Sequence, residues 1–253
     1  MKVVICEDAA AVGRYVGAEA AATLNRVLAR PLARARLLLA TGASQVHALA
    51  DLVTRPVDWS RVEGFHLDEY VGLGPDHPGS FRYYLKRRVT DLVPVEMHWI
   101  DPASPRSLNE LAALHAARPP DLALVGIGEN GHLAFNDPPA DLSTSEVLLE
   151  VELDEVCRRQ QVREGWFPDL ASVPTKAVTM SVPAILRSRQ VLAAVPGEAK
   201  AEVVARFLGT AEVSADLPAS ALRTHNDTTV VLDRASSRLL PEAAQAQASV
   251  FSW

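Results

Sequence analysis

The chain of 253 residues has only two cysteines, Cys6 and Cys157, and they stand far apart with no CxxC spacing. That excludes a disulfide scaffold and a thiolate metal site, and it fits a reducing compartment. No apolar run approaches the ~18 residues of a membrane span, so no membrane is expected as a partner. The opening MKVVICEDAAAV meets charges at Glu7 and Asp8 too early for a signal-peptide core, and cytoplasm is the expected location. Positive charge is not in excess either: the formal net charge is −6, which argues against nucleic acid. Linkers, low-complexity tracts and internal repeats are all missing, so residues 1–253 read as one domain.

What is present is ordinary globular composition, with 48% hydrophobic and 22% charged residues. Short apolar runs alternate with helical patterns along most of the chain. VVIC (3–6) precedes an Ala-rich helix at 9–29, and RLLLA (36–40) precedes a helix at 45–54. EGFHL (63–67) leads through a Gly/Pro-rich loop to a helix at 80–92, and MHWI (97–100) to one near 106–117. The runs LALV (122–125), KAVTMSV (176–182), QVLAAVP (190–196) and TTVVLD (228–233) complete the strands, with a helix at 198–209 and an Ala-rich terminal helix or tail at 241–249. This repetition predicts a Rossmann-like α/β fold, a mainly parallel sheet with helices on both faces. Strands buried on both faces explain continuous apolar runs in place of alternation.

Ligands in such sheets sit beyond the carboxyl ends of the strands, and four clusters lie there. Thr41-Gly42-Ala43-Ser44 joins a strand to a helix, so it either binds an anion or simply turns and caps. Asp68 and Glu69 follow another strand; adjacent acids point different ways, so at most one faces a pocket. A buried carboxylate there can move protons, whereas a generic acidic pair is more often a solvated cap. Gly126, Gly128 and Gly131 match GxGxxG, but Pro138-Pro139 stops any helix from Gly131 at less than normal length, and NAD is rejected. His132, framed by these glycines, suits proton transfer near neutral pH, with Asp137 close enough in sequence to orient it. Lys200 falls in the first turn of a helix, where it opposes the macrodipole unless an anion lies between them.

Taken in order, TGAS, FHLDEYVGL, HPGSFRYYL, GIGENGHLAFNDP and PGEAKA resemble the glucosamine-6-phosphate deaminase/isomerase family, which shares a superfamily with the 6-phosphogluconolactonases. The resemblance covers nearly the whole chain, and GHLAFN favours the deaminase branch. It implies chemistry without a metal or cofactor on a small phosphorylated sugar: ring opening, transfer of the C2 proton to C1, and release of ammonia to leave fructose 6-phosphate. By the same resemblance Asp68 is the enolising base and His132 the ring-opening acid/base. Thr41, Gly42, Ala43, Ser44 and Lys200 are the phosphate set, and Glu69, Gly128 and Arg163 complete the substrate-facing candidates.

Two residues depart from the family pattern beside the histidine. Asn130 stands where the family has Asp, and Asp137 where it has Glu; an amide cannot accept a proton or pair with an imidazolium. The family's phosphate arginine falls in direct register on Gly165, and Arg158, Arg159 and Arg163 are the available substitutes. Two other readings stay open, a lactonase-like hydrolase that has no need of Asp68 as a carbon base, and a sugar-phosphate sensor weakened by Asn130. Assembly into a homo-oligomer is left open as well.

Overall fold

The apolar runs form strands because each side of each strand is buried. Leu38, Ala123, Ala193 and Val230 enter one hydrophobic cluster, while their neighbours Leu37, Leu39, Leu122, Leu124, Leu192 and Val231 enter another. The computed structural model describes residues 1–242, 245 and 248–251. In chain order, β1 (Lys2–Cys6), α1 (Ala9–Leu28), β2 (Ala35–Leu39), α2 (Val46–Leu52), β3 (Val62–His66), β4 (Asp68–Tyr70) and α3 (Phe81–Leu85) come first. β5 (Glu96–His98), α4 (Pro105–Ala117), β6 (Leu122–Val125), β7 (Leu148–Glu152) and α5 (Glu155–Arg163) follow. The chain continues through β8 (Lys176–Met180), α6 (Val182–Ile185), β9 (Gln190–Val195), α7 (Ala201–Gly209), β10 (Thr228–Asp233) and β11 (Ser249–Phe251).

Helix starts follow local chemistry. Asp8 caps α1 by accepting from the Ala11 amide at 2.7 Å, and Ser104 caps α4 ahead of Pro105 at its first position. Asp154 caps α5 by accepting the Cys157 amide at 2.5 Å. The helix expected at 80–92 divides into α3 and a π-helical turn, Lys86–Thr90.

The main sheet has eight strands in the order β11-β1-β10-β9-β6-β2-β3-β5, with every pairing parallel. This is the expected Rossmann-like α/β architecture. The run at 176–182 does not join it: β8 pairs antiparallel with β4 and β7 in a second, three-stranded sheet. Its apolar composition suits a buried strand of either sheet, so composition could not assign it. β4, β7 and α5 carry too little apolar periodicity to have been expected. Part of the Ala-rich segment 241–249 lies outside the described residues, and Ser249–Phe251 beyond it adds an edge strand to β1.

From β2 the chain moves outward to β3 and β5, then returns to β6 on the other side of β2. The connections after β2 and β6 therefore diverge and leave a crevice at the carboxyl ends of the strands. No helix among the described residues is long and apolar enough to cross a membrane.

Candidate active site

The crevice gathers the clusters that sequence placed after separate strands. Thr41, Gly42, Ala43 and Ser44 after β2, Asp68 after β3, Gly128 and His132 after β6, and Lys200 after β9 all line one pocket. Buried Gln45 donates to the Val125 carbonyl at 3.1 Å and ties the first loop to the end of β6.

Asp68 begins β4, opposite Thr179 of β8, and is 5% exposed. Burial, with the neighbouring Glu69 carboxylate as a second cause, pushes its carboxyl well above the usual range. A carboxyl tuned in this direction is a stronger proton acceptor once ionised. Glu69 corrects an expectation, because strand alternation turns it away from the pocket. Its carboxylate accepts from Ser80 Oγ at 2.7 Å, from the amides of Tyr70, Phe81 and Arg82, and from Arg82 Nε at 3.2 Å. Glu69 is a fully enclosed anchor for the start of α3 and is not among the residues that line the pocket.

The histidine loop is shaped by contact and not only by backbone freedom. A Cβ on Gly128 would lie 2.2 Å from His132 Nε2 and 2.3 Å from Cε1, so the imidazole rests directly on the glycine. His132 Nδ1 approaches Asp137 Oδ1 at 3.0 Å, an ion-pair distance although off the hydrogen-bond axis. Nε2, on the far side of the ring from Asp137, makes no hydrogen bond among the described residues. Burial pushes the Asp137 carboxyl up, but the His132 ring and the Asn130 amide outweigh it and hold it below the usual range. Asp137 is therefore the anionic neighbour the ring needs.

Asn130 and Asp137 stand behind the pocket wall. Asn130 Nδ2 donates to Asp137 Oδ1 at 2.9 Å and to Asp154 Oδ2 at 3.4 Å, and its Oδ1 accepts the His132 backbone amide at 3.0 Å. The amide thus bridges two carboxylates and clamps the loop, work that an aspartate could not do without a proton. Cys157 Sγ, His132 and Asp137 offer donor atoms within 4.8 Å of one another, the chemistry of a metal site. Burial, reinforced by Asp137 and Asp154, drives the thiol far above its usual range, and a thiol held protonated is a poor ligand.

Lys200 is 6% exposed, and among the described residues its ammonium makes neither a hydrogen bond nor an ion pair. Burial pushes its pKa down, against an opposing pull from Glu164 and Glu129. A buried cation aimed into a pocket is most simply satisfied by an anionic ligand. The expected arginine does not help it. Arg163 pairs with Glu129 at 2.5 Å and is absent from the pocket wall, Arg158 donates to the Leu170 and Val173 carbonyls, and Arg159 pairs with Glu155.

Sequence reasoning missed Gln160, Gln161 and Glu164, which α5 brings into the pocket. The helix ends there in a Schellman motif: the Gly165 amide bonds the Val162 carbonyl and the Trp166 amide bonds that of Gln161, each at 3.0 Å. Gly165, with φ 81°, makes this stop, and a side chain in that left-handed conformation would be strained. The position at which the resemblance implies an arginine is thus a helix terminator. The segment QQVREGWF, ending Glu-Gly-aromatic, was the available signal.

The model of the family described as glucosamine-6-phosphate isomerases/6-phosphogluconolactonase matches residues 7–231. A glucosamine-6-phosphate deaminase of Bacillus pumilus is 34% identical over 236 residues, spanning 88% of this chain and 95% of that protein. One of Latilactobacillus sakei is 34% identical over 208 residues, spanning 80% and 86%. Among solved structures, a monomeric glucosamine-6-phosphate deaminase superposes with a TM-score of 0.86 at 30% identity, covering 94% of this chain and all of its own (100%). A 6-phosphogluconolactonase of Thermotoga maritima shares the fold, with a TM-score of 0.73 at 18% identity over 92% of this chain and 99% of its own. The chain belongs to the glucosamine-6-phosphate isomerase/6-phosphogluconolactonase family.

Proposed function

We propose that the protein is an aldose–ketose isomerase/deaminase acting on glucosamine 6-phosphate or a closely related hexose phosphate. One observation carries this reading: the buried Asp68 carboxyl, the His132 ring and the buried Lys200 ammonium open onto the same pocket. Lys200 and the Thr41–Ser44 turn hold the phosphate. His132, backed by Asp137, moves protons between the ring oxygen and the anomeric hydroxyl and opens the sugar. Asp68 then takes the C2 proton and returns it to C1, which converts the 2-amino aldehyde to a C2 imine. Water hydrolyses the imine to the ketose and ammonia.

A lactonase reading has use for His132 and Lys200 but none for a carboxylate tuned as a carbon base, and Asp68 favours the isomerase. The buried, unbridged cysteines agree with a reducing compartment, so we place the reaction in the cytoplasm. The test is a screen of phosphorylated aldoses, amino sugars and 6-phosphogluconolactone for ketose, ammonia and acid release. Ketose with ammonia from glucosamine 6-phosphate is the expected result. Lactone hydrolysis without either product would refute it.

A further inference from the structure

The pocket wall that carries Lys200 also carries an acid. Glu164 is half-buried and firmly held: Gln160 Nε2 donates to its Oε1 at 2.6 Å and Trp166 Nε1 to its Oε2 at 3.0 Å. Oε2 lies 3.9 Å from where a Cβ on Gly42 would sit, within the turn assigned to phosphate. It is therefore fixed beside the phosphate position and not free to swing into solvent.

The surroundings leave this carboxylate facing the ligand. Lys200, the pocket's cation, is matched one for one by Glu164, and Arg163 is already neutralised by Glu129. Arg88 stacks over the rings of Tyr84 and Trp166, at 4.2 and 5.9 Å to the centroids, and is not among the residues that line the pocket. The buried Tyr70 and Tyr84 hydroxyls, both pushed up by burial, stay protonated near neutrality. A phosphate monoester, with a second pKa of ~6, is mostly a dianion above pH 7. Such a dianion would meet a cradle whose net side-chain charge is zero.

Resting on the sugar-phosphate reading, we propose that Glu164 sets the charge state of the substrate's tail, so that this site binds a phosphate ester together with one proton. The proton comes from solvent and is shared between a phosphate oxygen and the Glu164 carboxylate in an O–H···O bond; no other bond changes. The site thereby selects the monoanionic ester and loses affinity as pH rises, in contrast to a cradle built from cations alone.

The test is calorimetric titration of glucitol 6-phosphate, which has no carbonyl to react, into the wild type and Glu164→Gln. Running each in two buffers of different ionisation enthalpy at pH 8 counts protons taken up. The wild type is expected to take up about one proton and to weaken roughly tenfold per pH unit between 7 and 9. Glu164→Gln, which keeps an acceptor for one of the two donors, is expected to take up almost none and to bind at least tenfold more tightly at pH 8. Glu164→Ala should agree with it, which separates loss of charge from any local repacking. Equal proton uptake by wild type and both variants would overturn the role of Glu164 while leaving the sugar-phosphate reading standing. Failure of all three proteins to bind the ligand at millimolar concentration would overturn both.

Discussion

Gly128→Ala isolates the contact that holds the His132 imidazole. Gly128 does not need its glycine for backbone reasons, since its φ lies outside the left-handed region. Its need is space: an added Cβ would meet Nε2, Cε1 and Cδ2 of His132 at 2.2, 2.3 and 2.4 Å. Ordinary contact requires the ring to retreat by roughly 1 Å, and a misplacement of that size costs on the order of 10²-fold in rate. The retreat also strains the Asp137 contact, which already sits off its ideal axis. Overpacking of this kind costs about 1–3 kcal/mol in stability. The assay is kcat for ketose formation from glucosamine 6-phosphate, alongside Tm for each variant. Gly126→Ala is the comparison, because its nearest contacts would be ordinary ones at 3.6–3.9 Å and its Tm should stay close to wild type. Wild-type kcat in Gly128→Ala would refute the idea that the ring's position on the glycine matters to the reaction.

Asp68→Asn should lower kcat by about 10²–10⁴-fold while sugar-phosphate binding persists, since the amide removes the base but keeps the shape; full turnover would end its assignment. In the wild type the base must be ionised and its pKa is raised by burial and by Glu69. Activity therefore falls as pH drops through that raised value, and the acid limb of kcat/KM should lie above the ~3.9 of an ordinary aspartate. A limb at the ordinary value would contradict this. Asn130→Asp installs the acid that the resemblance implies yet removes the donor shared by Asp137 and Asp154, leaving three carboxylates together. We expect a loss of about 1–3 kcal/mol at pH 8. Like charges repel while all three are ionised, so the loss is greatest at high pH and shrinks as pH falls and a carboxyl proton replaces the amide donor. Thermal unfolding at pH 8 and pH 5 checks this, and an equal or larger loss at pH 5 would count against it.

Much of the site was legible because the fold places chemistry where strands end. Apolar runs too short and too continuous for helices marked parallel strands, so Thr41–Ser44, Asp68, His132 and Lys200 could be located from their position just after them. Glu69 was misjudged because strand alternation decides which of two adjacent acids faces inward, and only the β4–β8 register settles the direction. Asn130 read as damage in a one-dimensional comparison. Its role emerged only with Asp154, which is 24 residues away in sequence and reaches it through the cap of α5.

By itself, then, the sequence determined the Rossmann-like sheet, the family, and that Asp68, His132 and Lys200 follow strand ends, where they line one pocket. These rest on hydrophobic periodicity and on short motifs, both of which are local. The tertiary structure decided which carboxylates line the pocket, what the Asn130 amide bridges, and that α5 contributes Glu164 to it. Those depend on strand register, on helix termination at Gly165, and on side chains meeting across distant segments, none of which a local pattern encodes.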